Sequence, residues 1–264
     1  MGDVGESSIR KMLWIDFGRA FLSARFVVSV AAGILICYFT RLFCGFPAPA
    51  VHMFVYMHDR SMIFLALIAG VLPYSTCFYA DFLHGNIRNV LGRADVRGYV
   101  FSKSAAAVVS SVAAFLCGKL IFVILYSARH PVCLPGTMDM LPGSILYGEL
   151  ARQGQYAAFF LLVSMQKALY CGVLCQAVML VSVWVRNLSV MFSVPVAVFY
   201  VVNFHFRNIT DAAYLNLTRI FDGITRIWDT DEQNFTYALI VAVVLYLLLF
   251  RATLWSMRRK IYHV

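Results

Sequence analysis

The sequence predicts an all-α, polytopic membrane protein that forms a single domain over residues 1–264. Of its 264 residues, 61% are apolar and 13% are charged, and the mean hydropathy is +0.77. A soluble domain of this length would leave large apolar patches in water, so a water-soluble enzyme, a disordered regulator and a disulfide-stapled secreted domain are excluded. The apolar runs are of helical length, whereas barrel strands are about 10 residues long and alternate strictly.

Six apolar stretches are long enough to cross a bilayer as helices, which takes about 20 residues each. They cover residues 26–43, 62–80, 104–126, 157–185, 188–206 and 236–254. Proline, glycine and charged residues cluster in the gaps between them. Pro73 and Pro195 each remove a backbone donor inside a predicted span, so both helices are expected to kink.

The leader that precedes the first span, residues 7–25, predicts an amphipathic interfacial helix. Its apolar face contains Ile9, Leu13, Phe17 and Phe21 with Trp14 at the edge, and Arg10, Lys11, Arg19 and Ser23 lie on or near the other face. Such a helix lies in the plane of the membrane interface. The alternative is a simple cytoplasmic extension of the first span. The apolar run that follows is too long for a cleavable signal peptide.

The distribution of charge predicts the orientation. With a cytoplasmic N-terminus, 13 of the 22 Lys and Arg residues lie inside with five acidic residues, whereas seven basic residues and eight acidic ones lie outside. Positive residues are retained on the cytoplasmic side, so both termini are predicted to be cytoplasmic, in a multi-pass protein of the plasma membrane. The net charge of +9 flanks the spans and forms no separate basic domain, which excludes a nucleic-acid partner.

Sequence motifs for catalysis and cofactor binding are missing. The single Gly-Lys pair, Gly118-Lys119, lacks the earlier glycine of a P-loop and falls in a span, and no H-E-x-x-H or G-x-S-x-G occurs. Cys171 and Cys175 have no nearby histidine or carboxylate, so no metal site is predicted. Cys44 and Cys133 lie near the outer surface, where both the paired and the free state stay open.

Two lysines fall inside predicted spans, where ionisable side chains are candidates for function. Lys119 lies about 10 Å from the outer end of its span, so its ammonium can extend to the headgroups. Lys167 lies at the outer interface if its span begins at Gln166, which is the interpretation we favour. If the span begins at Ala157, Lys167 is buried about 15 Å deep.

The segment after the second span has a pattern of its own. Leu83, Ile87, Val90 and Leu91 share one face of a short helix. Gly92 can end that helix and Asp95 can cap the third span. A short amphipathic helix at this position is either a surface helix or a docking element for a cytoplasmic partner.

This segment resembles the permeases of type 2 ABC transporters, most of which are exporters. Their second span runs into an acidic residue, followed four places on by a glycine, a short apolar helix, a Pro-small-Arg turn and a lysine at the mouth of the third span. Here Asp81 replaces the usual glutamate, while Gly85, Arg97 and Lys103 match. The turn proline is missing. The architecture matches over the whole chain, and the motif over residues 81–103.

The resemblance implies six transmembrane helices, an interfacial N-terminal helix, a cytoplasmic coupling helix and an outer re-entrant-like segment, for which residues 207–233 are apolar enough. From the sequence alone, an amphipathic outer cap is an equal alternative for these residues. The resemblance also implies a permease with no catalytic, cofactor or metal site, partnered by ATPase subunits that bind ATP and Mg and by a second permease copy or a related permease. The coupling residues would be Asp81, Leu83, Gly85, Ile87, Arg88, Val90, Leu91 and Arg93. The translocation path would use Tyr38, Tyr74, Ser75, Thr76, Phe192, Tyr200 and Asn203. The implied cargo is amphipathic or hydrophobic: an antimicrobial peptide, a lipid or a drug.

Two other classes of function have different signatures. An energy-independent carrier or channel would show inverted repeats or spans broken near the midplane, and no clear repeat is visible. An intramembrane enzyme would gather histidine, carboxylate or cysteine nucleophiles at one depth, and the predicted spans show no such group.

Overall fold

The computed structural model describes residues 3–43, 48–59, 63–85, 87, 95–134, 136, 145–208 and 213–262. Within these ranges the fold is all-helical. The helices are α1 (Asp3–Phe21), α2 (Ala24–Leu42), α3 (Ala50–Asp59), α4 (Ile63–Val71), α5 (Cys77–Leu83), α6 (Val96–Ser127), α7 (Gly148–Arg152), α8 (Tyr156–Ser182), α9 (Leu188–Asn208), α10 (Leu217–Ile220) and α11 (Asp231–Tyr262). A short 3-10 turn, Ala213–Leu215, precedes α10. An isolated antiparallel bridge joins Ile145 to Thr225.

Among the described residues, four helices are long and apolar enough to cross a membrane: α2, α6, α8 and residues Asp231–Ile261 of α11. The described apolar part of α9, Leu188–Val201, is shorter. These helices indicate a membrane protein. Helices α6 and α8 lie side by side at the centre of the bundle, with α2 against α6, α9 against α8, and α11 against both.

The predicted second span, residues 62–80, is not a continuous helix. Helix α4 ends at Val71, the chain turns through residues 72–76, and α5 begins at Cys77. Pro73 has no amide hydrogen to donate to the helix and its ring crowds the preceding turn, which explains why the predicted kink becomes a complete break.

Helix α1 ends at Phe21, before the predicted boundary at residue 25. The Ser23 hydroxyl accepts a hydrogen bond from the Phe26 amide and so begins α2 one residue later. The face of α1 that packs on α6 also differs from the predicted apolar face, because it centres on Asp16 and Ala20. Trp14 is 82% exposed on the opposite side.

The helix bundle has two ends, which we call proximal and distal. At the proximal end, α1 and α5 meet the first turns of α2 and α6 and the last turns of α8 and α11; there the Lys260 ammonium donates to the Val183 carbonyl. The distal end carries residues 48–59, 126–134 and 145–156, together with residues 213–230, which we call the distal segment.

Candidate functional site

Six polar side chains converge at the proximal end, and we call them the proximal cluster. Helix α1 contributes one, the turn between α4 and α5 another, α5 a third, and the beginning of α6 the remaining three. The members are Asp16, Tyr74, Asp81, Tyr99, Ser102 and Lys103. The α6 members are spaced three and four residues apart, so they share one face of that helix.

Lys103 is the centre of the proximal cluster. Its ammonium nitrogen lies 2.9 Å from Asp81 Oδ2 and 3.4 Å from Asp16 Oδ1. It also lies 3.2 Å from the Tyr74 hydroxyl oxygen and 5.3 Å from the centres of the Tyr74 and Tyr99 rings. The Lys103 side chain is 4% exposed, so the ammonium has exchanged water for two carboxylates and two aromatic rings.

Neutral donors complete the shell around the two carboxylates. Asp16 accepts from the Tyr74 hydroxyl at 2.7 Å and from the Ser102 hydroxyl at 2.6 Å. Asp81 accepts from the Tyr99 hydroxyl at 2.6 Å. One lysine faces two carboxylates here, and these three hydroxyls stabilise the excess negative charge.

The proximal cluster joins parts of the chain that are far apart in sequence. Asp16 and Lys103 are separated by 87 positions. Beside the cluster, the Arg25 guanidinium donates to the Thr76 hydroxyl at 3.0 Å and attaches α2 to the same turn. These contacts connect α1, α2, the turn between α4 and α5, and α6 to one another. Within the described parts of the chain, no group of histidine, cysteine and carboxylate side chains could hold a metal ion.

The predicted coupling residues separate into three groups. Asp81 belongs to the proximal cluster and Leu83 is 63% exposed, while Gly85 has a φ of +68°, a conformation that favours glycine. Ile87 is 8% exposed and packs into the core of the chain. Leu83 and Ile87 therefore do not form the predicted docking face together, because the Ile87 side chain points into the core. Arg88, Val90, Leu91 and Arg93 lie outside the described residues.

The predicted path residues occupy two levels of the bundle. Tyr74, Ser75 and Thr76 lie together in the α4–α5 turn at the proximal end. Tyr38 lies beneath Arg41 near the distal end of α2 and is 45% exposed. On α9, Phe192 is half-buried and Tyr200 is 59% exposed with its ring against Phe64, while the side chain of Asn203 lies outside the described residues.

A second buried ion pair lies toward the distal end, where the Lys167 ammonium is 3.1 Å from Asp222 Oδ1. Helix α8 begins at Tyr156, which places Lys167 about 16 Å from its start. The interfacial position of Lys167 stays a prediction, since a helix that begins at Tyr156 also fits an extension of α8 beyond the span. Lys119 also lies inside the bundle: it is 3% exposed, with its ammonium above the rings of Phe54 and Phe115.

The distal segment packs deep against α8. Phe221 is fully buried and stacks on Tyr170, near the middle of that helix, with ring centres 5.4 Å apart. Gly223 has a φ of +76°, and a β-carbon there would lie 2.7 Å from the Val163 carbonyl oxygen. Only glycine allows the chain to approach α8 this closely.

Polar contacts fix the rest of the distal segment. The Gln166 side-chain amide donates to the Ile220 carbonyl at 2.6 Å and its oxygen accepts from the Tyr147 hydroxyl at 3.0 Å. Burial raises the pKa of Tyr147 above its ordinary value, so the phenol remains a donor. Asn234 accepts from the amides of Ile227 and Trp228, which ends the segment at the start of α11.

Sequence reasoning missed Asp16, Tyr99, Ser102 and Asp222. One local signal marks Asp16. Its carboxylate lies four residues after Met12 and four before Ala20, on a helix face that otherwise packs. Cys133 is a free thiol, and Cys44 lies outside the described residues.

Comparison of the chain with models of known protein families, with curated proteins and with solved structures finds no match.

Proposed function

We propose that this chain is the membrane-spanning permease subunit of an ATP-driven exporter of the type 2 ABC class. In this proposal α4 with α5, and α9, complete a set of six spans, and the proximal end faces the cytoplasm of a cell bounded by the plasma membrane. Separate ATPase subunits bind and hydrolyse ATP. A second permease copy, or a related one, completes the path for an amphipathic or hydrophobic cargo.

The position of the proximal cluster is the observation that carries this proposal. Asp81 and Lys103, the first and last residues of the family-like motif, form an ion pair at 2.9 Å. They lie on either side of residues 84–95, the segment expected to contact the ATPase. A force applied to this segment would reach α5 and α6 through a buried pair with aromatic and hydroxyl partners. Such a pair is costly to break, which suits transmission of a movement.

The location of the helix break favours a permease over an energy-independent carrier. Carriers with interrupted helices place the interruption near the bilayer midplane, where it binds substrate. The break at residues 72–76 instead lies beside Arg25, at the beginning of α2, and beside Lys103, in the second turn of α6. It therefore joins the proximal cluster and leaves the middle of the bundle to continuous helices.

The decisive experiment is copurification from native membranes, with the associated subunits identified by mass spectrometry. The wild-type chain is expected to copurify with an ATPase. Leu83→Asp should abolish this association, because it places a charge in a contact that must be dry, while the chain still accumulates in the membrane. Leu83 is 63% exposed, so the substitution leaves the core intact.

Two control variants accompany Leu83→Asp. Leu215→Asp changes a leucine that is 55% exposed at the opposite end, and should leave ATPase association unchanged. Ile87→Asp places a charge in the core, so we expect it to reduce accumulation of the chain itself. A wild-type chain that purifies without any ATPase and transports alone would contradict the proposal.

A further inference from the structure

Lys167 is a cation whose counter-ion comes from a non-helical segment. The Lys167 side chain is 5% exposed and that of Asp222 is 22% exposed. Taking an ammonium into an apolar interior is costly unless an anion accompanies it. Helices α6, α8 and α11 are continuous rods, whereas Asp222 belongs to the turn that follows the single helical turn α10. The cation, Lys167, therefore belongs to a long helix of the bundle, whereas the anion, Asp222, belongs to the non-helical part of the distal segment.

The surroundings of Lys167 suit an acidic group attached to an apolar body. Helix α6, which packs along α8, carries Lys119 in an apolar setting, where it is 3% exposed. The rings of Phe54 and Phe115 flank Lys119 at 5.2 Å and 5.5 Å from its ammonium. Phe221, the residue before Asp222, covers the ring of Tyr170. A carboxylate and an adjacent apolar group therefore already occupy this place.

Tyr170 provides a second, independent observation. Its hydroxyl is buried and makes no hydrogen bond within the described residues. A buried hydroxyl without a partner costs free energy, so its retention on the residue that stacks beneath Phe221 marks a place where a polar group of a ligand gains a donor. Asp222 does not use it: its Oδ1 accepts from Lys167 and its Oδ2 from the Thr225 hydroxyl at 3.1 Å.

We propose that Lys167 is the cationic centre of a binding site for the acidic group of an amphipathic molecule, and that Asp222 fills this site in the present conformation. The ligand carries a carboxylate or phosphate on an apolar chain. When it binds, the distal segment withdraws Asp222 and Phe221, and the ligand's acidic group and chain replace them. As a statement about cargo this rests on the proposed permease function, and it selects acidic amphiphiles over cationic peptides.

The site and a purely structural ion pair make opposite predictions for the two partners. If the pair only stabilises the fold, removing either charge weakens the protein and any ligand binding in the same direction. If Asp222 competes with the ligand, Asp222→Asn removes the competitor and tightens binding, whereas Lys167→Met removes the recognition group and weakens it. The sign of the Asp222→Asn effect therefore separates the two explanations.

The test uses the full-length chain in phosphatidylcholine nanodiscs. Binding of fluorophore-labelled dodecanoate is titrated, with labelled dodecylamine as the matched cationic probe. We expect Asp222→Asn to bind the acid about tenfold more tightly and Lys167→Met about tenfold more weakly, the effect of one charge-assisted hydrogen bond. Arg226→Gln, which removes an ion pair of the same segment that does not involve the site, should leave binding unchanged.

Additional arms identify the source of the acidic group and protect against misfolding. Phosphatidylglycerol added to the nanodiscs should displace the probe if the ligand is a phospholipid, and unlabelled dodecanoate alone should do so if it is a free fatty acid. If Lys167→Met fails to accumulate, Lys167→Arg, which should retain binding, and Asp222→Asn decide the question. Equal binding of acid and amine, or weaker binding by Asp222→Asn, would overturn the proposal. No ATPase is present in this assay, so its failure is distinct from failure of the permease proposal.

Discussion

The proximal cluster and the Lys167–Asp222 pair both bury a lysine against aspartate, but they differ in what they connect. At the proximal end, Lys103 joins carboxylates from α1 and α5 to the first turns of α6, and all three elements are helices. At the distal end, Lys167 joins α8 to a turn of the distal segment. One arrangement connects rigid elements to each other, and the other holds a separable segment on a rigid element.

The two sites also differ in how completely their buried polar groups are hydrogen-bonded. In the proximal cluster, each carboxylate accepts from at least one hydroxyl in addition to Lys103. One turn of α8 after Lys167, the hydroxyl of Tyr170 stays without a partner in the described part of the chain. A fully satisfied buried network stabilises one arrangement, whereas a partly satisfied one leaves a second arrangement within reach. Burial of a charge alone therefore does not distinguish a structural site from an exchangeable one.

The largest expected effect comes from removing the two lysines in turn. Lys103→Met leaves two buried carboxylates without their cation, which should lower the free energy of unfolding by about 3–5 kcal/mol. Lys167→Met leaves one carboxylate on a segment that can reach water, so the loss should be about 1–3 kcal/mol. Thermal unfolding of each detergent-solubilised variant measures the difference. An equal or reversed order would remove the distinction between the two sites.

Part of this difference could be predicted from the sequence. The family pattern marks Asp81 and Lys103, one on each side of a short helix. It does not predict their pairing, which the structure adds as an ion pair at 2.9 Å. Pro73 predicted a kink in the second apolar stretch, because the missing amide hydrogen acts locally, and the structure has a complete break there. Composition and apolar run length predicted the all-helical fold for the same reason: each is a property of a short stretch of chain.

The rest depends on partners that are remote in sequence. Asp16 meets Ser102 across 86 positions, and Lys167 meets Asp222 across 55. No period within one helix shows which distant carboxylate will arrive beside a lysine. The apolar run that contains Lys167 is longer than one span, and composition does not show where a helix enters the membrane, so the depth of this lysine stays a prediction.

Two glycines with similar backbones, Gly223 and Gly154, test how the distal segment is held against α8. Gly223 and Gly154 have nearly the same backbone conformation, with φ of +76° and +78°, but a β-carbon at Gly154 would meet nothing within 4 Å. Alanine at either position should cost about 1–2 kcal/mol for the left-handed conformation. Gly223→Ala should cost about 1–3 kcal/mol more, because its β-carbon collides with the Val163 carbonyl.

The readout for this pair is the accessibility of the distal segment as well as stability. A cysteine at Ile220, which is 2% exposed, should react slowly with a membrane-impermeant maleimide in the wild-type background. Gly223→Ala should increase the reaction rate and Gly154→Ala should not. If both alanine variants leave the rate unchanged, close contact at Val163 does not hold the segment in place.

The smallest expected effect isolates one hydroxyl in each site. Tyr99→Phe removes the donor to Asp81 and should lower the free energy of unfolding by about 1.5–3 kcal/mol, the range for hydrogen bonds to charged groups. Tyr170→Phe removes a buried hydroxyl that has no partner within the described residues, so it should be neutral or slightly stabilising. Both rings stay in place, since each stacks or packs through its apolar face. Thermal unfolding in the same detergent measures both changes, and wild-type ligand affinity in Tyr170→Phe would show that the acidic amphiphile does not use this hydroxyl. A Tyr170→Phe variant that is destabilised as much as Tyr99→Phe would mean that the two shells are equally complete.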